Sequence, residues 1–238
     1  MKPAKPAAEM TLAELAAYID HSVLKPDFTP DEVRREVAAG VGFGCRTVCI
    51  NPSSIELAVP LCEGTATGTC VVVDFPFGSS TTPSRVAQTR VVLDAGVDEV
   101  DIVANYGWIR GGALGRVEDD LRAVIEPCHA AGVPVKVIFE TDALTRDEIR
   151  AATEASIAAG ADFIKSSTGF YTGTNQHASP GASDEMVAFM IDCAAGRCKV
   201  KGSGAIRERA HFLRLIDAGA DRMGVGYRST PVVLGLTD

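Results

Sequence analysis

Most signatures of a specialised class are missing from this chain of 238 residues. No apolar run approaches the roughly 20 residues that span a bilayer, and the opening MKPAKPAAEM has neither an apolar h-region nor a cleavage pattern. A cytoplasmic protein with no membrane partner is expected. The seven cysteines are odd in number and include no CxxC pair, which argues against a disulfide framework and a zinc site. They are expected as reduced thiols, mostly in the core. Basic charge is scarce, and a formal net charge of −8 argues against a nucleic-acid partner. No GxGxxG follows the first strand-like run, so no Rossmann fold is indicated. Four scattered histidines suggest no metal centre, and no cofactor is expected. No stretch reads as a linker.

What is present is an ordinary globular composition, 46% hydrophobic and 23% charged, in a length that suits one (β/α)8 barrel of about 250 residues. The chain is therefore expected to be one domain, 1–238. A Pro- and Ala-rich tail, 1–8, has nothing to bury and is expected to be disordered. An N-terminal helix follows at 11–19, with Thr11 as its cap and Glu14 three residues later at the capping-box position. Strand-like runs then recur at 20–24, 47–50, 70–75, 98–104, 133–140, 162–167, 199–203 and 222–225. Between them lie helical stretches at 30–39, 52–61, 83–95, 117–131, 145–159, 183–195 and 206–218. Gly40, Gly96, Gly160 and Gly219 each follow an alanine where a helix should stop, and all four are expected as left-handed C-caps. Alternating strands and helices mean parallel βαβ units, and eight of them at this length mean a closed α/β barrel. After the eighth strand only a short or truncated final helix remains.

Period-two alternation sorts each strand into a face toward the helices and a face toward the barrel interior. In the fifth strand Val135, Val137 and Phe139 form the apolar face, so Lys136 and Glu140 point inward. In the fourth, Val100, Ile102 and Ala104 face out, leaving Glu99, Asp101, Val103 and Asn105 inside. Phe163, Lys165 and Ser167 face in from the sixth strand, and Lys199, Lys201 and Ser203 from the seventh. Asp20, Ser22 and Leu24 share the inner face of the first, Thr47, Cys49 and Asn51 that of the second, and Cys70, Val72 and Asp74 that of the third. Buried charge is costly unless paired. A purely structural ion network has no need of three lysines near one another, whereas an amine nucleophile does, because a neighbouring cation lowers the pKa of the reacting lysine. Lys165 is the best placed: it ends a strand in ADFIKSSTGF and faces the turn Ser167, Thr168, Gly169.

These residues carry a resemblance. Eight ordered blocks, YIDHSVLKP, CRTVCINP, DEVDIVANYG, VKVIFET, AGADFIKSSTGF, GASDEMV, VKGSGAIR and GADRMG, make the chain similar to the deoxyribose-phosphate aldolase family over about 18–223. The resemblance implies a class I aldolase on a (β/α)8 barrel, needing no metal, which joins acetaldehyde to an aldehyde acceptor through a lysine Schiff base. It implies that Lys165 forms the Schiff base and that Lys201 is the second lysine that tunes it. It implies further that Asp101 shuttles protons, that Asp20 contacts Lys201, and that Lys136 completes the network. Ser22 and Cys49 match pocket-lining positions. A small aldehyde or sugar phosphate is the implied partner, with a homodimer or other homo-oligomer as a possible assembly.

Two regions depart from the family pattern. Where the family has a Gly-Gly pair and a Gly-Thr/Ala-Ser-Ser turn at its phosphate site, this chain has Gly204-Ala205 after Ser203, and Gly224-Val225-Gly226-Tyr227. Both serine hydroxyls are replaced, although backbone amides near Gly204 and Gly226 could still hold an anion. Asp74 stands where the family usually has glycine, and its parity puts a negative charge near the pocket mouth. Three readings follow: an aldolase of 2-deoxy-D-ribose 5-phosphate, a Schiff-base aldolase or lyase acting on an unphosphorylated or altered aldehyde, and a catalytically silent small-molecule-binding barrel.

Overall fold

A computed structural model describes residues 2–237. Its strands are β1 (Ile19–Val23), β2 (Thr47–Ile50), β3 (Gly68–Val73), β4 (Glu99–Val103), β5 (Val135–Ile138), β6 (Phe163–Lys165), β7 (Lys199–Ser203) and β8 (Arg222–Gly226). All pair in parallel with their sequence neighbours, and β8 returns to β1 with Ile19 opposite Met223 and Ser22 opposite Gly226, closing the barrel. The helices are α1 (Leu12–Ala16), α2 (Pro30–Gly42), α3 (Ile55–Cys62), α4 (Thr82–Asp94), α5 (Tyr106–Arg110), α6 (Leu114–Ala130), α7 (Arg146–Ala159), α8 (Asp184–Ala194), α9 (Arg209–Ala218) and α10 (Thr230–Leu234). The fold is the expected (β/α)8 barrel, with its extra first helix and a short last one.

Local chemistry explains where these elements start and stop. Thr11 and Glu14 form the expected capping box, and the same reciprocal pair opens α2 with Thr29 and Glu32, and α7 with Thr145 and Glu148. α1 stops at Ala16, short of the expected end at 19, because Ile19 is already paired with Met223. Gly160 and Gly219, at φ 95° and 107°, are the left-handed caps expected of them, and Gly96 takes φ 73° just past α4. Gly40 is not a cap. It lies inside α2, where a Cβ would stand 2.7 Å from Val48 Cγ1 and 2.9 Å from His21 Cδ2, so glycine serves there to let the helix approach the barrel.

The outward strand residues form the main core. Val100, Ile102, Val135, Val137, Ile164 and Val200 are buried against helix residues such as Val33, Leu121 and Ile149. Each such side chain contributes about 1.5–3 kcal/mol by burial, whereas buried ion pairs roughly break even. The helix-facing belt therefore stabilises the barrel, and the charged interior is free to serve chemistry.

The expected disorder of 1–8 does not hold at its end. Ala7 opens a short 3-10 turn, Ala7–Glu9, is completely buried with Phe212 and Ile216 of α9, and donates its N–H to Asp217 at 2.8 Å. Its methyl is small enough to fill a gap in that cluster, which a hydropathy argument overlooks. Met1 lies outside the described residues.

Candidate active site

Lys165 is the last residue of β6, 3% exposed, at the C-terminal end of the barrel. The turn after it is stapled to β7: Ser166 Oγ donates to the Ser203 carbonyl at 2.8 Å and accepts the Ser203 N–H at 2.9 Å. Ser203 Oγ donates to the Ser167 carbonyl, and Thr168 Oγ1 donates to Glu140. Burial holds the Glu140 carboxyl above its ordinary range, against the opposing effect of the Thr168 hydrogen bond. Glu140 itself sits in the left-handed region at φ 57°, which turns the chain out of β5.

Beneath Lys165 lies a fully buried ion network assembled by strand register. Asp101 pairs in register with Lys136, and Lys165 with Lys201. Asp101 Oδ2 accepts from Lys165 Nζ and Lys201 Nζ, both at 2.8 Å, while Oδ1 accepts from Lys136 Nζ at 2.8 Å and from the Cys70 thiol at 3.1 Å. Lys201 and Arg222 both donate to Asp20, as does Thr47 Oγ1 at 2.8 Å. Glu99 closes the lower part, 2.6 Å from Lys136 Nζ and 3.0 Å from Arg222 Nη1. Burial alone would raise the Asp101 and Asp20 carboxyls, but the cations around them outweigh it and hold both well below the usual carboxylate range. The same balance works in reverse for Lys136 and Lys201: burial disfavours their charge, and the adjoining carboxylates restore it and more.

A cavity of about 190 Å³ opens over Lys165. Ser22, Thr168, Gly169, Ser203, Gly204, Ala205, Gly224 and Gly226, all expected at the substrate, line it together with Lys165. A larger cavity of about 780 Å³ lies at the opposite end, beside Arg46, Thr47, Gly68, Asp98 and Glu99 at the strand starts. Chemistry belongs to the smaller one, because the amine is there.

The chain matches known proteins in both sequence and fold. The model of the DeoC/LacD family aldolase fits residues 13–228. The chain belongs to that family. A Micrococcus luteus protein named deoxyribose-phosphate aldolase is 40% identical over 232 residues, covering 95% of this chain and 97% of the relative. A Staphylococcus aureus protein named deoxyribose-phosphate aldolase 1 is 38% identical over 207 residues, covering 87% and 90%. Among solved structures, the tetrameric deoxyribose phosphate aldolase of Aeropyrum pernix superposes with a TM-score of 0.84 at 27% identity, covering 94% of this chain and 91% of that one.

Three expected pocket residues of the aldolase do not line the cavity. Cys49 is buried inside the barrel beside Cys70, its partner in register, with Leu24 and Val72 around them. The Ser167 hydroxyl turns to Thr141 Oγ1 at 3.0 Å. Asp74 is the main correction: its carboxylate accepts the Ser80 N–H at 3.0 Å and the Ser80 hydroxyl at 2.7 Å, and lies 3.5 Å from the buried Arg85 Nε. Arg85 also pairs with Asp120 and donates to the Val103 carbonyl. Asp74 thus shares the Arg85 charge with Asp120 and does not line the cavity. Parity misled because Asp74 leaves the strand at φ 51°, the left-handed region that glycine favours and aspartate tolerates.

Sequence reasoning passed over the basic rim. Lys25 and Arg207 both line the cavity, as does Tyr227, whose ring meets Phe28 edge-on at 5.0 Å. Their signal was proximity: Lys25 follows the inward Leu24, and Arg207 follows the glycine turn after β7. Arg222 shares the inner face of β8 with Gly224, opposite the buried Met223 and Val225. Cys49, Cys70 and Asp101 bring possible ligand atoms within 4.8 Å of one another, but a metal there would displace Lys136 from Cys70 and Asp101.

Proposed function

We propose that the aldolase acts through a Schiff base on Lys165, reversibly splitting 2-deoxy-D-ribose 5-phosphate into acetaldehyde and D-glyceraldehyde 3-phosphate. The observation that carries this reading is one carboxylate oxygen, Asp101 Oδ2, shared at 2.8 Å by Lys165 and Lys201. Neutral Lys165 Nζ attacks the C1 aldehyde, and the carbinolamine loses water as a proton reaches its hydroxyl from the Asp101 and Lys201 pair. The iminium is then the electron sink. The C3 hydroxyl gives up its proton, the C2–C3 bond breaks, and its electron pair forms the enamine as the three-carbon aldehyde leaves. Protonation at C2 and hydrolysis release acetaldehyde and restore the amine.

Phosphate would be held by the amides at Gly204 to Ile206 and Gly226, with Lys25 and Arg207 supplying charge. Ala205 keeps a left-handed backbone, φ 60°, where the family has a glycine, so the turn's shape survives its substitution. With Asp74 turned to Ser80 and Arg85, away from the cavity, the unphosphorylated reading rests only on the two lost serines.

We infer a homo-oligomer working in the cytoplasm. The seven cysteines are free thiols, which suits a reducing compartment. Among the described residues no helix is long and apolar enough to cross a membrane. Phe77 and Val91 offer apolar surface for a second copy, at 63% and 66% exposure.

Acetaldehyde with borohydride should add one ethyl group to the peptide containing Lys165, and none in Lys165→Ala. An adduct on Lys201 in its place would sink the assignment of roles.

A further inference from the structure

The buried network holds one positive group too many. Lys136, Lys165, Lys201 and Arg222 face Asp20, Glu99 and Asp101, and each of the seven is at most 7% exposed. An uncompensated charge in such a site is costly, and ionisable groups relieve it by giving up a proton. Three of the four cations are lysines that can do so. The guanidinium of Arg222 cannot.

The geometry selects which lysine yields. Lys136 reaches three carboxylates, Glu99 at 2.6 Å, Asp101 at 2.8 Å and Asp20 at 3.6 Å. Lys201 reaches two, Asp20 and Asp101. Lys165 reaches one, Asp101 at 2.8 Å. Of the three network lysines it is held least, and of those three it alone lines the cavity. Arg222 sits at the other end. Its partners are Asp20 and Glu99, neither of which is paired with Lys165, and its guanidinium carbon lies 5.6 Å from the centre of the Phe163 ring.

We propose that Arg222, which touches no substrate, is a positioning residue: its permanent charge obliges the network to leave Lys165 without a proton, and so sets the pH at which the amine becomes reactive. The inference rests on Lys165 being the amine that forms the Schiff base. Other titratable groups border the network. Burial raises the Glu140 carboxyl after β5 and pushes the Cys70 thiol of β3 up, favouring the neutral form of both. The Cys49 thiol of β2 is lowered by its hydrogen bond with Cys70, against burial, and enters the count only as a thiolate. Lys199 from β7 and Arg46, 3.9 Å from Glu99, are exposed, as are Lys25 and Arg207 on the rim of the cavity, and solvent screens all four.

The test follows imine formation on Lys165, trapped from acetaldehyde with cyanoborohydride and read by mass spectrometry as a function of pH. In Arg222→Met the interior balances with Lys165 protonated, so the half-maximal pH should move up by about one unit or more. The double variant Arg222→Met with Glu99→Gln removes one charge of each sign and restores the surplus, so its half-maximal pH should return toward that of the unsubstituted protein. A purely structural role for Arg222 lowers the trapped yield at every pH and makes the double variant worse, and either result overturns the inference. Should Arg222→Met fail to fold, Arg222→Lys keeps a cation that can itself surrender the proton. There Lys165, with one carboxylate partner against two for position 222, still yields first, so the half-maximal pH should stay. Glu99→Gln alone enlarges the surplus and should lower it, and an unchanged value in Glu99→Gln overturns the inference. No adduct on Lys165 in the unsubstituted protein overturns the Schiff-base reading and this inference with it. An adduct whose pH dependence ignores Arg222 overturns this inference alone.

Discussion

Gly224 leaves open the space that Lys201 passes through: a Cβ there would stand 3.3 Å from Lys201 Cε and 2.9 Å from Ser203 Cβ. The lysine can lean across β8 toward Asp20 and Asp101 because its neighbour has no side chain. Gly224→Ala should displace the ammonium group and lower kcat by roughly tenfold or more, with overpacking costing about 1–3 kcal/mol of stability. Steady-state kinetics beside a thermal melt check this, and an unchanged kcat in a folded variant would show that Lys201 needs no such clearance.

Phosphate recognition should depend on Arg207. Losing a charge-assisted hydrogen bond worth about 1.5–3 kcal/mol predicts that Arg207→Met lowers kcat/KM for the 5-phosphate by roughly 10- to 100-fold and leaves turnover of 2-deoxyribose nearly unchanged. The unsubstituted protein should strongly prefer the phosphorylated sugar, and Gly226→Ser with Tyr227→Ser should change that preference little. A weak preference that the two serines raise tenfold would favour an unphosphorylated natural substrate.

His21 should make stability fall in mild acid. It is completely buried, with Nδ1 2.8 Å from Thr230 Oγ1, and burial pushes the imidazole from 6.5 down to about 4. A group more easily protonated when unfolded adds stability that is complete above about pH 6.5 and lost as pH falls toward 4. At about 1.4 kcal/mol per pKa unit the loss is roughly 3 kcal/mol. Urea unfolding at pH 7 and pH 4 should show that loss, reduced in His21→Gln; equal losses in both proteins would assign it to the carboxylates.

Arg85 should matter to stability more than Asp74. Arg85→Met strands Asp120 and Asp74 without their cation and should cost about 3–5 kcal/mol. Asp74→Gly relieves a left-handed backbone while losing the Ser80 contacts, so its cost should be smaller. Denaturant midpoints of the two variants decide the order.

Period and punctuation made the barrel legible, because the strands carry apolar faces, α1, α2 and α7 open on capping boxes, and α7 and α9 close on glycines that can be read locally. Parity also brought Lys165, Lys201, Asp101, Asp20 and Lys136 to one interior. It failed where the backbone leaves the strand: Asp74 turns at φ 51° and its side chain with it. It could not tell the glycine that caps a helix, Gly160, from Gly40, which admits a neighbour, since both follow an alanine and only a long-range contact separates them. Arg207 and Lys25 lie in connections outside any strand period, so only three dimensions place them at the cavity.

The seam between β1 and β8 has a consequence for how the protein is made. Asp20 and its partner Arg222 are 202 residues apart, and Ala7 waits for Asp217 across 210. While the chain is being synthesised, the early strands leave the ribosome with one edge of the sheet unpaired and their deepest carboxylate without a counter-charge. Ring closure is the last event open to the nascent chain, and loss of the final strand should leave an exposed sheet edge that invites aggregation.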